Sequence, residues 1–349
     1  MTLRVLHLTG SATSADFEDL SRLYARGCLD AVGDPARYEP LIAHVSPDGA
    51  WRFPAGLSDA QLAAAESCGI ARAIDQLAEL DVDVMVPHMF CPAGMTHYRA
   101  LFDLLAIPYV GNTPEAMAIT ARKDHARAIV AAAGVCVPAG RVVHAVGATT
   151  VTTPVVVKPV DADNSAGVTL VRDQAEYAAA VERACAHGSG ALVEQFIEPG
   201  REVRCGILEC DGSLVCLPLE EYPLDWADRP IRRAEDKLAR TASGELQLVA
   251  KGAEHAWIAD PEDPVTARVW DAALAAYAAL GCRHYGLFDF RIDPAGTPWF
   301  LEAGLYCSFS PQSVVATMAA AAGIPVDELF SIALGEALRH RVLSQGSTP

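Results

Sequence analysis

Positive charge is scarce in this chain of 349 residues: 27 lysines and arginines stand against 44 acids, a formal net charge of −17. Nucleic acid and anionic membrane surfaces reward clustered cations, so neither is expected as a partner. Any bound polyanion must instead be gripped by a few local cations. The ten cysteines include no Cys-x-x-Cys pair and no histidines at zinc spacing, which argues against a disulfide framework and a sequence-local zinc site. Most of them read as small core residues. No apolar run reaches transmembrane length, and the first ten residues enter a strand-turn pattern without a signal-peptide core. A soluble, cytoplasmic protein is expected. Internal repeats and a Walker A pattern are also lacking, while 51% apolar residues suffice for a large core split over two or three domains.

The first third alternates strand and helix signals: a strand over 4–8, a glycine turn at Gly10, helices over 16–32 and 62–80, a strand over 82–87, a helix over 98–105 and a strand over 108–111. That order predicts βαβ units and a parallel sheet whose post-strand loops carry ligands. Gly111-Asn-Thr-Pro114 breaks the pattern and starts new helices through residue 133. Beyond Thr153 the chain turns β-rich, with strands over 154–159, 167–171, 191–197 and 202–208 and one helix over 174–186. The charged, proline-bearing segment 222–263 is too long for a plain connector and reads as a lid. A helix over 266–280, an acidic hairpin and a last helix over 325–342 complete the chain.

The hairpin runs Gly286-Leu-Phe-Asp-Phe-Arg-Ile292 and returns as Pro298-Trp-Phe-Leu-Glu-Ala303. A turn centred on Ala295-Gly296 sets Asp289 opposite Glu302, with both acids on one face. Two such carboxylates are either solvated on an edge hairpin or held together by a cation, and an oxygen-only pair favours Mg²⁺ or Mn²⁺. Lys158 ends a run of three valines and needs an anionic partner. The small-residue loop that follows, Asp161-Ala-Asp-Asn-Ser-Ala-Gly-Val168, is either a plain turn or a ring of backbone N–H groups around phosphate oxygens. Glu194 closes another apolar strand and Glu202 follows a kink. They are exposed hairpin acids, or the acceptors of an adenine amino group and of ribose hydroxyls.

Taken in order, Lys123 on a helix start, Val-Val-Val-Lys158-Pro, Asn164-Ser-Ala-Gly167, Val-Glu194-Gln-Phe-Ile with Gly-Arg-Glu202, Asp289 and Leu-Glu302-Ala resemble the ATP-grasp superfamily, in its D-alanine:D-alanine ligase branch. Gly10-Ser-Ala-Thr-Ser-Ala-Asp16 and Ile107-Pro-Tyr-Val-Gly111 extend the resemblance to the N-terminal part. It implies an α/β chain of three-domain ATP-grasp architecture: an N-terminal parallel α/β substrate domain over 1–112, a central subdomain over 113–193, and a C-terminal subdomain over 194–349 with the metal site and the lid, the last two α+β and clasping ATP. Lys123 and Lys158 would contact phosphates together with the Asn164–Ser165 loop; Glu194 and the main chain of Gln195 and Ile197 would read adenine, and Glu202 would hold the ribose. Asp289 and Glu302 would bind Mg²⁺. Lys237 would be the lid lysine, with Lys251 as its rival. Asp16 would meet a substrate ammonium, although it equally reads as a helix N-terminal acid, and Ser313 would hold a substrate carboxylate. The substrates would be a small carboxylate and an amine, joined through an acylphosphate, and a homodimer is implied.

The departures from that family gather on the substrate side. Gly304 replaces the asparagine that supplies a third metal ligand, and Leu287 replaces an arginine two residues before the metal aspartate, with Arg291 as a distant substitute. An acidic loop of the relatives becomes His88-Met-Phe-Cys-Pro-Ala-Gly-Met95, apolar but for a lone histidine. Phe90, Met95, Tyr306 and Phe309 read either as core packing or as the wall of a pocket for substrates larger and less charged than two D-alanines. Cys307 lacks a partner for nucleophilic work and reads as packing. Three functions remain open on the sequence: a peptide-type ligase on other amino acids, a degenerate relative that binds without turnover, and a ligase that uses a non-amine nucleophile or closes a ring.

Overall fold

The computed structural model describes residues 2–147, 150–162, 165–198, 200–224, 230–231, 238–240, 246–248 and 256–346. Asn164, Lys237 and Lys251 lie outside them. Strand β1 (Leu3–Gly10) leads through Ser14, whose side chain caps the helix by accepting from Phe17 N, into α1 (Ala15–Val32). There follow β2 (Tyr38–Val45), β3 (Trp51–Arg52), α2 (Asp59–Ala64), α3 (Ile70–Glu79), β4 (Val84–Pro87), α4 (Pro92–Met95) and α5 (His97–Leu104). The sheet order is β3-β2-β1-β4, parallel across β2, β1 and β4, with β3 antiparallel on the edge. Gly10 is required at the end of β1: its φ is +93°, and a Cβ there would stand 2.0 Å from the Val45 carbonyl oxygen.

The sequence differs from this sheet in three places. The helix expected over 62–80 is two helices, because Cys68 exchanges both backbone hydrogen bonds with Trp51 and pulls the chain out of the helical path. The strand expected over 108–111 is a single bridge from Tyr109 to Met85. Strand β2 went unread; its buried half is Ile42–Val45, flanked by exposed Glu39 and Pro40, so its apolar run is short.

Helices α6 (Pro114–Thr120) and α7 (Lys123–Ala132) precede a four-stranded antiparallel sheet of β5 (Gly140–Val143), β6 (Val155–Pro159), β7 (Thr169–Val171) and β8 (Ala191–Gln195), ordered β5-β8-β6-β7 and covered by α8 (Gln174–His187). This sheet has its own core, where Tyr177, Val181 and Ala184 of α8 meet Val155, Val157 and Val193. Last come β9 (Arg201–Cys210), β10 (Ser213–Cys216), β11 (Glu220–Tyr222), β12 (Leu238–Arg240), β13 (Leu246–Leu248), β14 (Trp257–Ile258), α9 (Pro264–Ala279), β15 (Tyr285–Ile292), β16 (Pro298–Gly304), α10 (Val314–Ala321) and α11 (Val326–Gly346). Their six-stranded sheet runs β14-β11-β9-β15-β16, with β10 also on β9, while β12 and β13 pair only with each other. Helices α6, α7 and α9 pack on one side of it through Met117, Val130, Val269, Phe288 and Phe300. On the other side Leu208, Tyr285, Phe309 and Phe330 share one core with Val5, Val84 and Val86 of the first sheet. Among the described residues no single helix is long and apolar enough to cross a membrane.

The β15–β16 hairpin fixes the functional geometry. Its turn is held by the Asp293 carboxylate, which accepts from the Ala295 and Thr297 amides at 2.9 Å and from Trp299 Nε1 at 3.0 Å, with Gly296 at φ +79°. From that turn the pairing runs Ile292–Pro298, Arg291–Trp299 and Phe290–Phe300, which would carry Asp289 to Leu301. A bulge at Leu301 intervenes, and Asp289 pairs with Glu302. The expected pairing is therefore present, reached by an extra residue in the strand rather than by the turn position assumed from the sequence.

Candidate active site

Two cavities meet at Lys123, Ala162, Asp289 and Glu302, which line both. The first, about 100 Å³, lies between the strand ends of β6 and β8 and the faces of β9, β15 and β16. Lys158, Ser165, Glu194, Gln195, Ile197 and Glu202 all line it, so the sequence-predicted nucleotide residues within the described chain converge on one cleft. The second, about 630 Å³, opens toward α1 and the loop after β4.

Each of the four carboxylates lining the first cavity, Glu194, Glu202, Asp289 and Glu302, faces a cation. Lys158 Nζ is 2.7 Å from Glu194 Oε2, and Arg127 Nε is 3.1 Å from Glu194 Oε1. On β15, Arg291 donates to Glu202 at 2.7 Å and to the Pro230 carbonyl at 2.9 Å, with its guanidinium 5.3 Å from the Phe196 ring centre. Lys123, at the start of α7, donates to the Ala162 carbonyl at 2.6 Å and lies 3.4 Å from Glu302. Asp289 takes both its oxygens to Arg204 on β9, one of them at 2.6 Å. Burial works against the Arg204 charge, but Asp289, then Tyr222 and Glu220, outweigh it and hold the guanidinium well above its ordinary value. The carbonyl of the bulged Leu301 also turns to Lys158, at 3.4 Å.

Arg204 and Arg127 are the residues that sequence reasoning missed. The signal for Arg204 was the alternation of β9: Val203, Cys205 and Ile207 are fully buried in the core, so Glu202, Arg204 and Gly206 share the other face. Register then sets Arg204 against Asp289 and Glu202 against Arg291. One further detail departs from expectation. The Gln195 amide donates to the Ala139 carbonyl at 2.7 Å, so that N–H already has an acceptor. Ser165 adopts φ +60°, a left-handed conformation that fits the turn its composition suggested.

The second cavity is largely apolar. Phe17, Leu20 and Tyr24 of α1 face Phe90, Met95, Met117, Leu287 and Tyr306 across it, with Phe90 set edge-on to Tyr24 at 5.1 Å and to Tyr306 at 5.7 Å. Burial pushes the Tyr24 hydroxyl up to about 12, against the pull of Arg204. Ser313 lines this cavity as the cap of α10, donating to the Ser308 carbonyl at 2.5 Å. Asp16 is not brought here; it sits exposed in the first turn of α1. Cys307 is buried, and that burial raises its thiol well above the ordinary value, next to Cys28.

His88 is not a lone histidine in a substrate loop. Its ring turns into the core, where Nε2 meets His7 Nδ1 at 3.0 Å, and Cys28 brings a third ligating atom within 4.8 Å. One of the facing nitrogens must accept from the other, so the two rings cannot both be charged, and burial lowers both below the ordinary value, which favours a neutral core pair.

The model for the D-ala D-ala ligase C-terminus matches residues 140–334. D-alanine–D-alanine ligase A of Mesorhizobium japonicum is 31% identical over 351 residues, covering 93% of this chain and 94% of its own length. The D-alanine–D-alanine ligase of Nocardia farcinica is 29% identical over 359 residues, 92% of this chain and 95% of its own. Among solved structures, the VanG D-Ala:D-Ser ligase of Enterococcus faecalis superposes with a TM-score of 0.78 at 21% identity, over 97% of this chain and 100% of that one. The Bacillus anthracis D-alanine–D-alanine ligase complexed with ATP gives 0.72 at 19% identity, over 98% and 100%. At these identities the structural likeness speaks for the fold.

Proposed function

Since the chain belongs to the D-alanine–D-alanine ligase family of the ATP-grasp superfamily, we propose that it activates an amino acid carboxylate as an acylphosphate and joins it to an amine. The observation that carries this reading is the set of four acid–cation pairs spread along the first cleft and its junction with the second cavity. Buried charges of both signs are costly to maintain, and little but polyanion and metal chemistry calls for so many around one cleft.

In this reading the cleft takes ATP. Lys158 and Lys123 exchange their carboxylate partners for phosphate oxygens, with amides of the Ser165 loop beside them. Glu194 and the strand through Gln195 and Ile197 meet the adenine, and Glu202 the ribose. Asp289 and Glu302, hard oxygen donors on paired strands, fit Mg²⁺ or Mn²⁺, and an ion held there would neutralise phosphate charge. The terminal phosphoryl passes to the substrate carboxylate as its bond to ADP breaks. The amine then attacks the carbonyl carbon and gives up a proton, and phosphate leaves. The chain supplies positioning and charge neutralisation, which is most of what phosphoryl transfer asks.

The second cavity supports substrates bulkier and less charged than D-alanine. Its 630 Å³ is walled mainly by aromatic and aliphatic side chains, with Ser313 and Gln312 also in the lining and the charged groups of Arg204, Lys123, Asp161, Asp289 and Glu302 among it. The test is ADP release across a broad panel of amino acid pairs, with product masses recorded. Release with an apolar pair and a mass equal to their sum less one water is expected. No release above background with any pair would favour a relative that binds without turnover. Lys158→Ala tests the nucleotide site that both readings share: ATP at about 100 times its dissociation constant adds about 2.7 kcal/mol of stability, and the variant is expected to lose most of that shift in melting temperature.

A further inference from the structure

The substrate side of the junction has an anion to neutralise, and Leu287 offers it nothing. An acylphosphate carries the charge of the carboxylate and the phosphoryl group together, and the later attack by the amine puts a further negative charge on the carbonyl oxygen. Among the described residues lining the second cavity, Arg204 and Lys123 carry its full-time positive charge. Lys123 also lines the nucleotide cleft, and Arg204 does not.

Register defines what Arg204 can reach. It lies opposite Asp289 on β15, and its strand neighbour Gly206 lies opposite Leu287. Residues diagonal across an antiparallel pair stand about 7–8 Å apart, within the span of a long side chain. Arg204 and Leu287 both line the second cavity, and the Arg204 side chain keeps 16% exposure, so a group seated over Leu287 lies within reach of the guanidinium from the cavity side.

We propose that Arg204 is the catalytic cation of the substrate side, held by Asp289 in the resting protein and passed to the reacting carboxylate when Asp289 turns to the metal. This rests on the ligase reading above. The hand-over follows from charge: Asp289 gives both oxygens to Arg204 at rest, and a metal cation brought to the same carboxylate would repel the guanidinium and loosen at least one of its N–H donors. That N–H then faces the cavity with a donor to spend. Metal loading and delivery of the cation become one event, and the carboxylate finds its positive partner only when the phosphoryl donor is also in place.

The experiment measures two quantities that this role moves in opposite directions. In Arg204→Ala, ADP release with the accepted substrate pair is expected to fall about 10²–10³-fold. The affinity for Mn²⁺ alone, followed by electron paramagnetic resonance of the free ion, is expected to rise roughly tenfold, since Asp289 has lost its competitor. A mere packing role lowers both. Adding Leu287→Arg to this variant is expected to return at least about tenfold of the lost turnover, because the cation again stands over the reacting group. If Arg204→Ala does not fold, Arg204→Lys serves, with a smaller change of the same signs, since lysine cannot bind both oxygens of Asp289. Wild-type turnover in these variants, a fall in Mn²⁺ affinity, or no recovery from Leu287→Arg each overturns the proposal. A wild type that binds nucleotide yet releases no ADP with any pair refutes the ligase reading itself, and this inference with it.

Discussion

On the family resemblance Gly304 would stand where an asparagine oxygen is expected, and its surroundings leave room to put one back. Its φ is not in the left-handed region, and an added Cβ would meet no atom within 4 Å. Gly304→Asn is therefore expected to fold normally and to lower the Mg²⁺ concentration that gives half-maximal ADP release, because a third oxygen replaces a water of the ion. An unchanged Mg²⁺ dependence would mean that residue 304 does not face the metal. Single residues of this kind divide sharply in how far the sequence disclosed them. Lys158 and Glu194 were legible near the ends of apolar strands, Glu202 after a kink, and Asp289 and Glu302 as facing acids of a hairpin, since such charges are costly to bury without a partner of opposite sign. Arg204 was not. It sits in mid-strand between valine and cysteine, and only register with β15, a long-range property, gives it a partner.

At the scale of elements, the bulge at Leu301 decides which way Glu302 points. Side chains alternate along a strand, so without an extra residue before it Glu302 would point to the other face. The residue in excess is Leu301 itself, because Phe300 pairs with Phe290 and Glu302 with Asp289. Deletion of Leu301 is therefore expected to close the bulge and leave Glu302 opposite Asp289, with only the Leu301 carbonyl contact to Lys158 lost. The check is ADP release beside a melting curve; abolished turnover in a deletion variant that melts normally would show that the bulge itself shapes the site. The sequence yielded the pairing of the two acids by a different route, because a bulge leaves no mark in composition or pattern. The same limit explains the helix split by the Cys68–Trp51 bridge, whose cause is a strand 17 residues earlier in the chain. The helices α1, α8 and α9 were readable because their caps and apolar spacing are local.

For the whole molecule, the buried His7–His88 pair ties stability to pH. Burial lowers His7 to about 4, and burial followed by the neighbouring His7 lowers His88 well below the ordinary value. Both rings are neutral in the folded protein, whereas an unfolded histidine takes a proton near 6.5. Below that pH the unfolded state binds more protons, so stability falls with acidification, by about 1.4 kcal/mol per pH unit for each ring. The contribution is complete above pH 6.5, and for His7 about 3 kcal/mol of it is lost by pH 4. Urea midpoints should decline between pH 7 and pH 5, and His7→Gln should flatten that slope; a flat wild-type profile would contradict the neutral pair. Since His7 also stacks on Phe330 of α11, at 6.4 Å, acid should loosen the seam between the first sheet and the last helix.

The pairing of Lys158 with Glu194 has a consequence of another kind. A carboxylate fixed 2.7 Å from the lysine acts as a tethered competitor, present at a high effective concentration and never diluted. On the nucleotide reading proposed above, a lone phosphate would have to displace it for little return, whereas a whole nucleotide would occupy the lysine and re-employ the displaced acid at its base. The resting cleft would thereby discriminate against fragments of its ligand, with selectivity for the intact molecule set before any ligand arrives.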